Sequence, residues 1–295
     1  MTQIGAALVK ELRDKTGAGL MDCKRALDEA HGDLAAAAEW LRAKGISRAI
    51  GKADRVAREG LVALCVEGSR GAIVELNSET DFVSRNELFR GTAIALAKAA
   101  LDVGGEREKL LEAPLADGGT SVRDRVAQLI ATIGENIVVR RSAAVGVTDG
   151  VIASYIHIAA GQGLGNVGVL VAIESTGRSD ILHDIGRRIA LHVAAASPLW
   201  VSDSDIPPDV ATEKRAALAA DAAKSGKPPD VVAKMLEGRL RKFHSETVLL
   251  RQAFVLNPEQ SVAAALAEAE QAAGAAIAVA AFVRFKTGEG LDAAH

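Results

Sequence analysis

The sequence has few aromatic residues, few cysteines and little net charge, and each shortage excludes a class of protein. Aromatic residues make up 3% of the 295 positions, so a core must be built mainly from Ala, Val, Leu and Ile. Two cysteines, Cys23 and Cys65, cannot form a disulfide framework or a thiolate metal site unaided, and we interpret both as reduced, buried thiols. A formal net charge of −3, with both signs interspersed, argues against direct nucleic-acid binding.

Targeting signals and membrane-length apolar runs are also missing. The N-terminus, 1–4, has no basic segment followed by an apolar one, so we expect no secretory signal. Charges interrupt the apolar runs well short of the length that spans a bilayer. We therefore expect a cytoplasmic protein with no membrane contact. With 49% hydrophobic residues, the chain is long enough for two or three domains.

Residues 1–45 are predicted to form a three-helix domain. Apolar residues recur at helical spacing from Ile4 onward, a glycine-rich break follows at 17–19, and Asp33 is a natural N-cap for the third helix. Bundles of this size usually dock on a partner. The basic, alanine-rich segment 46–59 is predicted to be a linker that is helical in part.

The rest of the chain contains a weak internal repeat. Segments 60–64 and 150–154 each begin a β-hairpin pattern that an alanine-rich helix follows. We therefore predict an α+β fold in which the helical bundle precedes two related core subdomains. The predicted bounds are 60–145 for the first subdomain, and 146–207 together with 244–290 for the second.

Between the two parts of the second subdomain, residues 208–243 are predicted to form a protruding helical hairpin. Two charged, alanine-rich helices flank the segment 226–229, where consecutive prolines forbid helix continuation. After the hairpin we predict strands over 248–256 and 277–285, around a helix that begins at Ser261.

The glycine run at 163–168 matches the pattern of dinucleotide-binding folds. That pattern needs a helix after the glycines, and the residues that follow have the composition of a strand. We interpret the run as a hairpin turn and keep a nucleotide-cofactor-binding enzyme as a disfavoured alternative. His183 and His192 are nine residues apart, which does not align metal ligands on one helix face. We expect no catalytic residue, metal or cofactor.

The strongest candidate for a contact site is the turn formed by Thr80, Asp81, Phe82 and Val83. It follows a predicted strand over 73–76 and precedes polar residues. Phe82 either folds back as a hydrophobic staple onto the following helix or is an exposed anchor for a partner. The local sequence slightly favours the staple, because Phe82 lies near Leu88 and Phe89.

Taken together, these motifs resemble the bacterial elongation factor Ts family. Segment 9–24 is similar to the family's N-terminal signature, which lies in a three-helix, ubiquitin-associated-like domain, and segment 79–83 matches its second signature. Further matching segments are 133–137, 189–195, 225–228 and 235–239. The resemblance covers nearly the full chain and accounts for both the repeat and the hairpin.

The resemblance implies a non-enzymatic guanine-nucleotide exchange factor that binds elongation factor Tu in complex with GDP. Phe82 would wedge into the GTPase domain while Asp81 helps to position the turn, so that the magnesium and phosphate sites are disturbed and GTP can replace GDP. A homodimer through the hairpin stays an open prediction. A generic adaptor for ubiquitin-like surfaces is a weaker alternative. Secondary partner contacts are implied for Arg13, His157, Ile189, Leu191 and His192.

Overall fold

The structure is a computed structural model that describes residues 4–116 and 119–291, apart from the side chain of Arg48. The first three residues of the predicted N-terminal domain lie outside the described residues. The chain begins with three helices, α1 (Ala6–Thr16), α2 (Leu20–Glu29) and α3 (Leu34–Ile50). The predicted three-helix bundle is confirmed, although α3 continues past the predicted boundary at residue 45.

The ends of these helices follow the local sequence. Gly17 ends α1 in the left-handed region, at φ +66°, and its N–H donates to the carbonyl of Arg13. The carboxylate of Asp33 caps α3 by accepting from the N–H groups of Ala35 and Ala36. A small apolar centre holds the bundle together, and its buried members are Val9, Leu12, Cys23, Ala26, Leu27 and Ala37.

The core contains eight strands and seven helices among the described residues. The strands are β1 (Glu59–Glu67), β2 (Arg70–Ser78), β3 (Ile137–Gly146), β4 (Gly150–Gly161), β5 (Leu164–Glu174), β6 (Ala253–Phe254), β7 (Asn257–Ser261) and β8 (Ala278–Lys286). The helices are α4 (Glu87–Asp102), α5 (Arg107–Glu112), α6 (Val122–Ile133), α7 (Ser179–Ala196), α8 (Pro208–Ala223), α9 (Pro229–Thr247) and α10 (Val262–Ala273).

Six of the strands form one antiparallel sheet with the order β3-β2-β1-β5-β4, and β8 also pairs with β5. One half of this sheet consists of β1, β2 and β3, the other of β4, β5 and β8, and the two halves pack face to face. Alternate side chains of each strand point to opposite sides, so each half has an inward and an outward face. Outward side chains pack under α4, α5 and α6 in the first half and under α7 and α10 in the second. Inward side chains form an inner core of Val62, Ile73, Ile152, Leu170, Ala172 and Phe285. The predicted α+β class with two related units is confirmed.

Glycines make the two halves equivalent in detail. Gly60, the second residue of β1, and Gly150, the first residue of β4, have φ +128° and +141°, and a Cβ on either would lie about 2 Å from a carbonyl oxygen on the neighbouring strand. On β2, a Cβ at Gly71 would lie 2.8 Å from Cγ2 of Ile152. On β5, a Cβ at Gly168 would lie 2.6 Å from Cγ1 of Val62. Strand β2 of the first half therefore packs against β4 of the second half, and β5 of the second half packs against β1 of the first. This reciprocal pattern of contacts is that of an isologous dimer.

A buried carboxylate joins the halves at one edge. Glu75 is fully buried and accepts from Nη1 of Arg140 at 2.9 Å, Nε of Arg141 at 2.5 Å and the N–H of Gly288 at 2.8 Å. Consecutive strand residues normally face opposite sides, but the register between β2 and β3 shifts beside Glu75. This bulge allows both arginines to reach one carboxylate, which also holds the turn after β8.

The predicted helical hairpin is present as α8 and α9, and α9 extends to Thr247. The strand predicted over 248–256 is wrong for most of its length, since only Ala253–Phe254 is extended in a ladder. The N–H groups of Leu249 and Leu250 donate instead to the carbonyls of Trp200 and Val201, which removes them from the sheet. Within the described residues, no helix is long and apolar enough to cross a membrane.

Candidate functional site

The turn between β2 and α4 presents Phe82 to solvent. A single 3₁₀ turn covers Asp81–Arg85, and the side chain of Asn86 then caps α4 at the N–H groups of Leu88 and Phe89. The side chain of Phe82 is 72% exposed, whereas Val83 is 5% exposed and joins the core with the fully buried Phe89. The staple interpretation is therefore wrong, because Val83 is the residue of this turn that anchors it to the core.

Glu135 holds the start of this turn. Its carboxylate accepts from the N–H of Thr80 at 2.9 Å and from the hydroxyl of Thr80 at 2.6 Å. The N–H of the next residue, Asn136, donates to the carboxylate of Glu79 at 2.6 Å. Two adjacent pairs of residues, 79–80 and 135–136, are thus bonded to each other in both directions, across 55 and 57 positions of sequence.

The end of the turn is held from within. The hydroxyl of Ser84 donates to the carbonyl of Asp81 at 2.6 Å, and Nε of Arg90 on α4 donates to the carbonyl of Ser84 at 2.8 Å. The carboxylate of Asp81 is exposed and has no hydrogen bond or ion pair among the described residues. The side-chain hydrogen bonds that hold the turn come from Glu135, Ser84 and Arg90 and not from the carboxylate of Asp81. Segment 133–137 was recognised in the sequence as a match to the family, but the sequence did not indicate that Glu135 binds Thr80.

A cleft of about 370 Å³ lies between the helical bundle and the core beside this turn. The end of α1 at Thr16 and Gly17 forms one wall, and Leu88 on α4 and Leu129 on α6 form part of the other. The side chain of Leu88 is half exposed, so a second apolar group lies close in sequence to Phe82. Exposed apolar side chains therefore lie both on the turn and on the first turn of α4.

The glycine run at 163–168 has the geometry of a hairpin. Residues Gly161 and Leu164 pair across the turn, and Gly165 and Gly168 lie inside β5. A Cβ at Gly165 would lie 2.5 Å from Cγ2 of Ile156, so this glycine permits close packing between strands. No helix follows the run, since β5 continues to Glu174. The alternative of a nucleotide-cofactor-binding enzyme using these glycines is wrong, because its phosphate-binding helix terminus is not there.

Comparison with known proteins identifies the family. The family model described as Elongation factor TS matches residues 79–289. The chain belongs to the elongation factor Ts family. It is 52% identical over 296 residues to Elongation factor Ts of Caulobacter vibrioides, covering 99% of this chain and 95% of that protein. It is 51% identical over 289 residues to Elongation factor Ts of Sinorhizobium fredii, covering 98% and 94% of the two chains. The chain is thus an elongation factor of protein biosynthesis.

The secondary contacts that the elongation factor Ts resemblance implied divide into exposed and buried residues. Arg13 on α1 and His157 on β4 are exposed, and Leu191 on α7 is half-buried. Ile189 and His192 are fully buried on the core face of α7. The assignment of Ile189 and His192 as contact residues is therefore wrong for this conformation, since neither side chain reaches the surface.

His192 makes two buried hydrogen bonds that segment 189–195 did not indicate. Its Nδ1 accepts from the N–H of Val255 at 3.1 Å, so its Nε2 carries the proton that is donated to Oε1 of Gln252 at 2.8 Å. Burial lowers the pKa of His192 below 6.5, although the bond to Gln252 opposes this shift. A neutral imidazole therefore links α7 to the segment before β7. Among the described residues, no group of histidine, cysteine or carboxylate side chains could hold a metal ion.

Proposed function

We propose that this chain is a guanine-nucleotide exchange factor for elongation factor Tu. It binds the GDP complex, Phe82 wedges into the GTPase domain, and the magnesium and phosphate sites are disturbed so that GDP leaves and GTP can enter. The factor performs no bond chemistry, and all of its effect comes from binding one state of the partner more tightly than another. Family membership supports the partner class, and the exposed Phe82 supports the mechanism.

The observation that carries the proposal is a large apolar side chain on a rigid, protruding turn. Burying the exposed ring of Phe82 in a partner would contribute about 2–3 kcal/mol, which is the scale of an interface hot spot. If that contact forms only when the nucleotide site opens, nucleotide and factor weaken each other's binding by the same ratio, here about 30- to 150-fold. This is enough to accelerate GDP release and to let GTP displace the factor.

Further contacts follow from the exposed residues. We propose that Arg13 and His157 lie at the rim of the partner interface and that Leu191 contributes where its side chain reaches the surface. The N-terminal domain and the first core subdomain would bind the GTPase domain, and the second subdomain another domain. The homodimer through α8 and α9, the lack of nucleic-acid binding and the cytoplasmic localisation stay predictions.

The test measures release of a fluorescent GDP analogue from elongation factor Tu at increasing concentrations of this protein. We expect the wild type to accelerate release and Phe82→Ala to remove most of the acceleration, with a loss of about 30-fold or more. The Phe82→Ala variant should keep its circular dichroism spectrum and unfolding midpoint, because the replaced ring makes little contact in the free protein.

Val66→Ala is the matched control. Val66 is also an exposed apolar residue of the same hairpin, but it pairs with Gly71 at the opposite end from Ser78 and the turn. We expect Val66→Ala to accelerate GDP release from elongation factor Tu as much as the wild type does. Wild-type protein that leaves the release rate unchanged would refute the exchange function, and equal activity of Phe82→Ala and wild type would refute the wedge.

A further inference from the structure

An exposed ring is an effective wedge only if its backbone is already in the bound shape. Each backbone residue that is free before binding and ordered afterwards weakens the interaction by roughly 5- to 30-fold. In the turn that carries Phe82, Val83 alone is buried in the core, so packing fixes one point. The remaining order must come from hydrogen bonds, and those at the start of the turn come from outside it.

Glu135 is well placed to supply this order, because its own backbone is held on both sides. Before it, Gly134 ends α6 in the left-handed region at φ +90°, and its N–H donates to the carbonyl of Ile130 at 2.9 Å. The ammonium group of Lys52 donates to the carbonyl of Gly134. After it, the N–H of Asn136 donates to Glu79. The carboxylate of Glu135 therefore projects toward Thr80 from a fixed point.

The same support also holds the segment that leaves the N-terminal bundle. Asn136 is almost fully buried, and its side-chain amide donates to the carbonyl of Arg55 at 2.6 Å. The guanidinium of Arg55 lies 3.6 Å from the carboxylate of Glu79. The residues that fix the turn thus also fix the connection between the bundle and the core, so two proposed contact regions share one support.

We propose that Glu135 is a positioning residue for nucleotide exchange, holding Thr80 so that Phe82 is presented in its inserting orientation. The inference rests on the proposed function, and it adds a residue that would act through Thr80 instead of through its own contact with the partner or the nucleotide. Both donors of Thr80 are bonded to one carboxylate, and bonds to a charged acceptor are the stronger kind. Loss of that carboxylate leaves Phe82 in place but lets its backbone move before docking.

The first test compares Glu135→Ala with wild type in the GDP-release assay, with the factor titrated to saturation. We expect the maximal release rate to fall about tenfold, while the half-saturating concentration changes less than about twofold because the other contact surfaces are intact. Glu135→Gln keeps an oxygen for the N–H of Thr80 and should recover part of the rate. Glu112→Ala, which removes an ion pair with Arg123 on the same subdomain, is the matched control and should behave as wild type.

A double-mutant cycle separates positioning from general loss of stability. If Glu135 acts through Phe82, adding Glu135→Ala to Phe82→Ala should change the release rate by less than about twofold. Independent, multiplying losses in the double variant would overturn the proposal. So would a wild-type maximal rate for Glu135→Ala.

Amide hydrogen exchange supplies a readout without the partner. The N–H of Thr80 should exchange about tenfold faster in Glu135→Ala, whereas the N–H of Ile73 in the middle of the sheet should be unchanged. Unchanged exchange at Thr80 would overturn the proposal at its structural step. If wild-type protein fails to accelerate GDP release while Thr80 responds as expected, the proposed function fails, and Glu135 supports the turn for another purpose.

Discussion

Replacing Glu75 by glutamine should strongly destabilise the joint between the two halves of the core. The carboxylate accepts hydrogen bonds from Arg140, Arg141 and the N–H of Gly288 while being fully buried. Glutamine has the same shape, but it turns one acceptor oxygen into an NH₂ group that faces the donors of the guanidinium groups. The substitution also removes the negative charge that compensates both arginines.

The expected magnitude follows from how well the two arginines can be hydrated afterwards. Removing one partner of a buried ion pair costs about 3–5 kcal/mol. The side chains of Arg140 and Arg141 are 21% and 31% exposed, and Arg141 also lies 3.7 Å from the carboxylate of Glu289, so water and Glu289 compensate in part. We therefore expect about 3 kcal/mol. For a chain of this size that corresponds to a fall of roughly 6 °C in Tm.

Urea denaturation followed by circular dichroism, together with calorimetry, measures this loss against a matched variant. Glu112→Gln removes an ion pair with Arg123 whose side chains are 67% and 58% exposed, and it should change the unfolding free energy by less than about 1 kcal/mol. Equal losses in the two variants would refute the reasoning that burial makes Glu75 important. A loss below about 1 kcal/mol for Glu75→Gln would do the same.

Two further predictions concern α7 and the inner core. The unfolding free energy should fall as the pH drops below about 6.5, because burial lowers the pKa of His192 and the unfolded chain then binds a proton that the folded chain does not. Urea titrations between about pH 5 and pH 8 should show less of this dependence in His192→Gln. Gly168→Ala should cost about 1–3 kcal/mol in urea denaturation, since its Cβ would clash with Val62. Gly238→Ala, in open space on α9, should be neutral or stabilising by up to about 1 kcal/mol.

Local patterns predicted much of the fold. The helix predicted to begin at Ser261 is α10, which Ser261 caps, and the predicted last strand is displaced by one residue at each end. These elements are specified by apolar periodicity and by glycine or serine at their ends, which are short-range signals. The glycine run was assigned to a hairpin for the same reason, because the residues after it have strand composition.

The candidate site was predictable in position but not in construction. Whether Phe82 packs inward or stays exposed depends on Val83, which packs into the core below the turn, and on Glu135, which is 55 positions from the Thr80 that it holds. Composition does not encode such pairings. The error on α7 was avoidable, however. His192 follows Ile189 by three positions and therefore lies on the same helix face, so the amphipathic pattern alone places it in the core.

The two halves of the core differ in the connection between the second strand and the helix that follows it. After β5, the chain passes directly through residues 175–178 into α7, and Gly177 packs so closely on α10 that a Cβ would lie 2.9 Å from Ala273. After β2, the equivalent connection is longer and carries the 3₁₀ turn with Phe82. The two halves therefore share one fold, but only the first has an exposed turn, with Phe82, between its second strand and the following helix. Because α10 covers the short connection of the second half, a ring placed there would be buried in this chain instead of reaching solvent, so only the first half can present a tip like that of Phe82.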